Sequence, residues 1–349
     1  MKVEIVSVQV RLRAPFVSSS GALERRELVL LRLEDDDGHV GFGEAAPLES
    51  YDGVSTADVR SALEDCRGAL AGANPLERAQ LLADCSRLAV LPQALAAVDL
   101  ALWDLTGRIT GQPIWRLLKC SSPEPVAVNY TIAAADRTGA AAEARAAVQA
   151  GYGCVKAKVA IGDDAGRVAA IRAAAGGQLA IRLDANGAWS VQEATASLRA
   201  LEPAGIELCE EPVHGLEQTA ELAAVCPVPI AIDETAANPG ALDRRACEAI
   251  CLKVARCGGI SGLLEAGRRA AATGYDVYLA STFDGPLGIA AALHAAAVLG
   301  PARPCGLATL GLFEASDPIP PRDGRMTVPP GPGLGDGLAE WYGELNPLR

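Results

Sequence analysis

Two lysines, three acids and a further lysine follow one another through the middle of the chain at nearly even steps. Lys156 and Lys158 lie in a β-branched run over 153–161. Asp184, Glu210, Asp233 and Lys253 each sit at the end of a later apolar run. The steps from Lys158 onward are 26, 26, 23 and 20 residues. Lys-x-Lys alone is common and reads equally well as a solvated edge strand. Residues two apart on a strand face the same side, however, and two ammonium groups inside an apolar strand are costly unless carboxylates meet them. Three carboxylates gathered at one place repel each other unless a cation joins them. One oxygen ligand from each of three strands, with positions left open, suits Mg²⁺, with Mn²⁺ as the alternative ion. Zinc would call for histidine or cysteine, and neither ends these runs. A divalent ion that binds a substrate carboxylate favours loss of the α-proton. Lys253, further round from Lys158, would face the same substrate from the other side. A lysine on each face permits proton removal and return, or cationic stabilisation of the anion between them.

Such a convergence needs a fold that delivers many strand ends to one mouth. After residue 125 the chain alternates strand and helix. Strands are expected over 126–132, 154–159, 179–184, 206–210, 230–233, 249–254 and 276–280, with a weaker one over 304–307. Alanine-rich helices are expected between them, as at 140–150, 165–175 and 191–201. Alternating units imply a parallel sheet, and eight strands imply a closed barrel. The first repeats lack the Gly-x-Gly-x-x-Gly turn of a dinucleotide fold.

The region before residue 125 reads differently. Strands are expected over 2–13, 27–33 and 40–43, with Asp35-Asp36-Asp37-Gly38 as a hairpin turn. Helices follow over 59–70, 75–88 and 92–106, the last with Pro92 in its first turn and Gly107 as its cap. Asp99 and Asp104 within that helix read as solvated or capping groups. Segments 17–21 and 47–53 read as loops, either ordinary connections or covers for a substrate. The expected organisation is an α+β capping domain over 1–122 and a modified TIM-type (β/α)7β barrel over 123–317. A proline-rich tail over 318–349 would return to the capping domain.

The chain has 349 residues and a net charge of −12, with no basic cluster. That argues against nucleic acid and anionic membrane as partners. The partners expected are a small carboxylate substrate and at most further copies of the same chain. Ten cysteines show no Cys-x-x-Cys, and the three histidines are scattered. Met1-Lys2-Val3-Glu4-Ile5 reads as a strand rather than a secretory leader, so a reduced, cytoplasmic enzyme is expected.

Several motifs together carry a resemblance. Gly43-Glu44-Ala45-Ala46-Pro47, Ala101-Leu102-Trp103-Asp104-Leu105-Thr106-Gly107 and Gly111-Gln112-Pro113 lie in the first region. Lys156-Ala157-Lys158, Asp184-Ala185-Asn186, Glu210-Glu211-Pro212, Asp233-Glu234 and Lys253 lie in the second. The chain resembles the enolase superfamily, in its muconate-lactonizing subgroup, over nearly its whole length. The resemblance implies Lys158 as the base, Lys253 as the opposite lysine and Lys156 as an electrostatic helper. It also implies Asp184, Glu210 and Asp233 as Mg²⁺ ligands, supported by Asn186 and Glu234. Within the subgroup, Cys305-Gly306-Leu307-Ala308-Thr309-Leu310 is similar to the last-strand motif of o-succinylbenzoate synthases. Dipeptide epimerases would carry an acidic Asp-x-Asp there, and no acid lies between Gly306 and Phe313. Ser281-Thr282-Phe283-Asp284 looks closer to a cycloisomerase. Substrate contacts are expected from Ser281, Thr282, Asp284, Gly306 and Leu307. The implied reaction is dehydration of 2-succinyl-6-hydroxy-2,4-cyclohexadiene-1-carboxylate to 2-succinylbenzoate, a step of menaquinone synthesis. Cycloisomerisation, N-succinylamino acid racemisation and dipeptide epimerisation are the alternatives.

Overall fold

A computed structural model describes residues 1–19 and 21–345. The chain opens on a three-stranded antiparallel sheet of β1 (Lys2–Ser18), β2 (Gly21–Glu34) and β3 (Val40–Ala45). β1 and β2 run well past the alternating core that the sequence suggests. They form a long hairpin in which Ser18 pairs with Gly21. The segment expected to be a loop at 17–21 is therefore the tip of this hairpin. A short helix, α1 (Glu49–Asp52), stands inside the second expected loop. Then come α2 (Thr56–Leu70), α3 (Arg78–Leu88) and α4 (Pro92–Thr110). Ser55 caps α2 with a reciprocal Asp58 contact, which satisfies two of the amide donors that every helix start leaves free.

α4 is apolar on nearly every side and is buried over most of its length. β3 reaches it so closely that a Cβ on Gly43 would stand 1.9 Å from the Ala97 carbonyl oxygen. The helix does not end at Gly107. Gly107 packs on Gly333 of the tail, and the left-handed cap is Gly111 at φ 64°. Neither Asp99 nor Asp104 is solvated, and Asp99 caps the start of a later helix (Ile260–Thr273) rather than its own. Both are fully buried. Asp99 accepts from the Ser261 amide (2.9 Å) and hydroxyl (2.6 Å), and Asp104 accepts from the Phe42 (2.9 Å) and Leu334 (2.8 Å) amides. Each carboxylate thus joins α4 to a distant part of the chain. A sequence pattern cannot reveal such a partner.

After α5 (Ile114–Leu117) the expected strand 126–132 splits. β4 (Val126–Ala127) pairs antiparallel with β12 (Arg325–Met326), while β5 (Tyr130–Ile132) begins the barrel. Alternating elements follow: α6 (Arg137–Gln149), β6 (Cys154–Lys158), α7 (Asp164–Ala175), β7 (Ala180–Asp184), α8 (Val191–Leu201) and β8 (Ile206–Glu210). The series continues through α9 (Leu216–Val225), β9 (Ile230–Ile232), β10 (Ala249–Lys253), α10 (Ile260–Thr273), β11 (Asp276–Ala280) and α11 (Pro286–Leu299). β5 to β11 form one parallel sheet in chain order. The eighth position is not a full strand. Cys305 bridges Val128 and Gly306 bridges Ala280, both parallel, and these two contacts close the ring. The fold is a modified TIM-type (β/α)7β barrel beneath an α+β cap.

The tail crosses back over the cap. The Ile114 amide donates to the Gly333 carbonyl (3.1 Å), and the hydroxyl of Tyr342 on α12 (Glu340–Leu345) donates to Glu44. The ten cysteines are free thiols. Among the described residues no helix is long and apolar enough to cross a membrane.

Candidate active site

The barrel brings the chemically interesting residues to one end. β6 and β7 run in register, with Lys156 opposite Arg182 and Lys158 opposite Asp184. β8 places Glu210 beside Asp184 in the same way. Lys156 Nζ donates to Glu210 Oε1 (2.6 Å) and lies 2.7 Å from Asp184 Oδ2. Lys158 Nζ reaches the same Asp184 oxygen (2.7 Å) and Asn186 Oδ1 (2.6 Å). Asn186 sits just past β7 in the left-handed region, at φ 48°, which asparagine tolerates better than most residues. That turn carries its amide back to Lys158 and lets its NH₂ donate to Glu234 (3.0 Å). Lys253 pairs with Asp233 on the other side. The lysine side chains keep only 13%, 14% and 6% exposure for Lys156, Lys158 and Lys253, so none belongs to a solvated edge strand.

Charge alternation makes this burial tolerable. Burial works against the ammonium of Lys156, but Asp184 and Glu210 outweigh it and raise its pKa. Burial likewise opposes Lys253, and Asp233 with Tyr51 outweighs it. Burial also opposes the charge of Asp184, yet Lys156 and Lys158 hold its carboxyl well below the usual range. Asp233 is lowered too, with Lys253 and Lys156 overcoming its burial. Glu210 goes the other way, because burial dominates and Lys156 offsets only part of it. Glu234 is pushed up to about 8, by burial first and then by Asp233 and Asp184.

The donor chemistry identifies what such a centre could hold. Glu210, Asp233 and Cys251 offer ligand atoms within 4.8 Å of one another. In the sequence Cys251, like Cys154 and Cys209, reads as a small hydrophobe of an apolar strand; here it lies on β10 beside these acids. Burial, together with the nearby Glu210 and Asp233, raises its thiol pKa far above the ordinary value. Asp184 stands outside that group of three but is tied to Glu210 through Lys156, which contacts both carboxylates, so carboxylates from three successive strand ends meet here. Such a hard oxygen set fits Mg²⁺ rather than zinc.

Above these groups opens a cavity of about 950 Å³, its open mouth included. Lys156, Lys158, Asp184, Asn186, Asp233 and Lys253 line it, as do Ser281, Thr282 and Gly306. Glu210 lies just beneath, fully buried. Two expected substrate contacts do not reach it. Leu307 is wholly buried in the core. Asp284 is buried behind the wall, where its Oδ1 accepts from the Thr282 amide (3.1 Å) and hydroxyl (2.7 Å). Asp284 fixes the loop and leaves the wall to its neighbours. Arg26 completes that loop's support by donating to the carbonyls of Thr282 (3.1 Å), Pro47 (2.7 Å) and Ala46 (3.1 Å).

Other site residues escaped the sequence reading. Tyr51 leans in from α1, donates to Asp233 Oδ1 (2.9 Å) and accepts from Lys253 Nζ (2.7 Å). Its only signal was a place in a Pro- and Gly-bounded loop. Thr131 of β5 lines the cavity, as does Thr309, whose hydroxyl meets that of Ser281 at 2.9 Å. Glu211 accepts from the Asp233 (2.7 Å) and Thr235 (3.0 Å) amides and so sets the end of β9. The hairpin tip docks on the same mouth. The Ser19 hydroxyl donates to the Ala185 carbonyl (3.1 Å), and Phe16 meets Phe283 edge-on with centroids 4.9 Å apart. Both expected loops thus cover the cavity.

Comparison with known proteins agrees with this geometry. Residues 1–119 match the model of the mandelate racemase / muconate lactonizing enzyme N-terminal domain, and residues 139–340 match the enolase C-terminal domain-like model. A D-Ala-D/L-Ala epimerase of Cytophaga hutchinsonii is 30% identical, over 98% of this chain and 96% of that protein. An o-succinylbenzoate synthase of Mycobacterium bovis is 42% identical over 178 residues, covering 48% of this chain and 52% of that protein. The solved dipeptide epimerase of Cytophaga hutchinsonii, complexed with Mg and D-Ala-L-Val, superposes with a TM-score of 0.87 at 28% identity. That match covers 97% of both chains. The muconate lactonizing enzyme of Pseudomonas fluorescens, complexed with muconolactone, superposes with a TM-score of 0.91 at 25% identity, covering 98% of this chain and 97% of that one.

Proposed function

We propose that this chain, which belongs to the mandelate racemase / muconate lactonizing enzyme family of the enolase superfamily, is an o-succinylbenzoate synthase. It would abstract the proton α to a ring carboxylate of 2-succinyl-6-hydroxy-2,4-cyclohexadiene-1-carboxylate and expel the neighbouring hydroxyl. In this reading residues 123–317 are the catalytic barrel, and 1–122 with the tail from 318 are its cap; the last four residues of the expected tail, 346–349, lie outside the described residues.

One observation carries the choice of substrate. Among the described residues, the only charged groups lining the cavity are the three lysines, Asp184 and Asp233. The rest of the lining consists of hydroxyls, the Asn186 amide, small residues, Leu23, Leu48 and rings such as Phe16 and Phe283. A dipeptide carries an α-amino group that is largely cationic near neutral pH. It would find no free carboxylate, because no acid lies between Gly306 and Phe313. A succinyl chain is an acceptor, and Ser281, Thr309 and Thr131 offer hydroxyl donors. The 42% identity to the mycobacterial synthase over 178 residues points the same way.

Asp184, Glu210 and Asp233 would hold Mg²⁺, whose charge lowers the cost of the anion left when the α-proton departs. Lys158, steered by Asp184 and Asn186, takes that proton at Nζ. Lys156 bridges Asp184 and Glu210 and favours the charged form of both. Lys253 stays an ammonium between Asp233 and Tyr51, and its charge faces the anion from the opposite side. Loss of hydroxide completes the diene-to-arene change, and the proton on Lys158 leaves with it as water. The cap tips, Phe16 and Tyr51 among them, exclude bulk water during these steps.

A second reading is favoured by the lysine pair itself. Lysines on opposite sides allow a proton to be removed from one face and returned to the other, as racemisation of an N-succinylamino acid requires. The two are separated by incubating the Mg²⁺-loaded enzyme with each substrate. Aromatic product from the cyclohexadiene, lost on chelation and restored by Mg²⁺, supports the synthase. No aromatic product at high enzyme concentration, with deuterium entering N-succinylamino acids from ²H₂O, would replace it with the racemase.

A further inference from the structure

Below the three acids the barrel holds a stack of groups with no part in the proposed reaction. Tyr278 projects inward from β11, opposite Cys251 of β10. Its hydroxyl donates to Glu210 Oε2 (2.7 Å), while Lys156 holds Oε1 (2.6 Å). The guanidinium of Arg182 lies 4.3 Å from the Tyr278 ring centroid. Arg182 is wholly buried and is fixed by Glu207 (3.2 Å) and the Pro304 carbonyl (3.0 Å). Glu207 in turn pairs with Arg303 (2.7 Å), and Arg303 with Asp276 (2.8 Å). The four charges at the base balance one another. Even so, a cation wholly inside a barrel costs much more than an apolar residue there.

We propose that Tyr278 is a positioning residue: it fixes the Glu210 carboxylate in the orientation that serves the metal centre, and Arg182 fixes Tyr278 from beneath. A glutamate side chain has three rotatable bonds. With a donor on one oxygen only, it could turn both oxygens toward Lys156 and withdraw from the centre. A phenol on Oε2 prevents that and leaves that oxygen a lone pair. The cation under the ring draws on its π-electrons and holds the ring plane. Removing an outer hydrogen-bond partner of a metal ligand costs about 10- to 100-fold in metal affinity. The inference rests on Asp184, Glu210 and Asp233 being the metal ligands.

The test is titration of the full-length protein with Mn²⁺, followed by calorimetry and by the paramagnetic resonance of the free ion. Tyr278→Phe keeps the ring and should bind Mn²⁺ about 10- to 100-fold more weakly. Arg182→Gln removes the cation beneath the ring, and it should weaken binding about two- to fivefold. Raising Mg²⁺ should restore the activity of Tyr278→Phe with an unchanged KM for the carboxylate, which a merely structural defect would not allow. Circular dichroism of the ion-free proteins fixes the folded fraction. If Tyr278→Phe does not fold, Arg182→Gln decides alone. Folded variants that bind Mn²⁺ within twofold of the parent overturn this inference and leave the metal reading standing. A parent that binds no Mn²⁺ overturns both.

Discussion

Replacing Tyr51 with phenylalanine asks whether the cap takes part in the chemistry or merely covers it. The phenol oxygen lies 2.7 Å from Lys253 Nζ and 2.9 Å from Asp233 Oδ1, so it bonds two charged partners at once. The ring also lies 4.5 Å from Lys253 Nζ and 5.1 Å from the Arg256 guanidinium, measured to its centroid. Phenylalanine keeps those ring contacts and loses only the hydroxyl. A hydrogen bond to a charged group contributes about 1.5–3 kcal/mol. Lys253 and Asp233 still pair directly in the variant, so about one such bond is lost in full. If the bond strengthens by that amount as the anion forms, kcat/KM falls about 10- to 150-fold, at about 1.36 kcal/mol for each factor of ten. The loss should fall on kcat rather than on substrate affinity, because Lys253 acts on the anion. The assay is formation of 2-succinylbenzoate at saturating Mg²⁺, paired with a thermal melt. Activity within twofold of the parent would refute the idea that Tyr51 sets the Lys253–Asp233 pair. So would a loss that merely tracked unfolding.

Two further outcomes follow from the same geometry. Lys158→Ala should lower turnover about 10²- to 10⁴-fold, the usual share of a general base, and should abolish solvent deuterium exchange at the α-carbon. Exchange at the parent rate would assign the base elsewhere. Glu44 tests the contact between cap, barrel and tail. Its carboxylate accepts from the Gly285 amide (2.8 Å) and from Tyr342, yet burial, with Asp284 nearby, pushes its pKa up to about 8 from 4.5. A folded-state pKa above the unfolded value means a contribution fully present below pH 4.5 and lost as pH rises through about 8. The parent should lose on the order of a few kcal/mol of stability between pH 6 and pH 9 from this group. Glu44→Gln should remove that part of the slope. Identical slopes in thermal melts across that range would show that Glu44 does not carry it.

The spacing of Lys158, Asp184, Glu210, Asp233 and Lys253 was legible in the sequence because a parallel barrel repeats one βα unit per strand, and every strand's carboxyl end reaches one mouth. That regularity is local: each residue closes its own apolar run. Arg182 and Tyr278 show where local pattern ends. Each reads as one more strand residue, and only the register of β7 and β11 places one beneath the other.

The long hairpin was only half legible, because its outer part alternates weakly and gains its order by docking on the mouth through Ser19. The eighth strand was expected over 304–307 on composition, but the ring closes there through two single bridges. Asp284 and Leu307 were placed in the wall by their position after strand ends. The structure buries both, because a loop shows the cavity only some of its side chains, and which ones depends on what packs behind it. Tyr51, Asp99 and Asp104 acquire their roles from partners far away in the chain. The sequence by itself determined the catalytic repeat, since that follows from periodicity and charge. Tertiary structure alone decided which cap residues meet it and what the cavity wall offers a substrate, since those depend on packing between segments that share no local pattern.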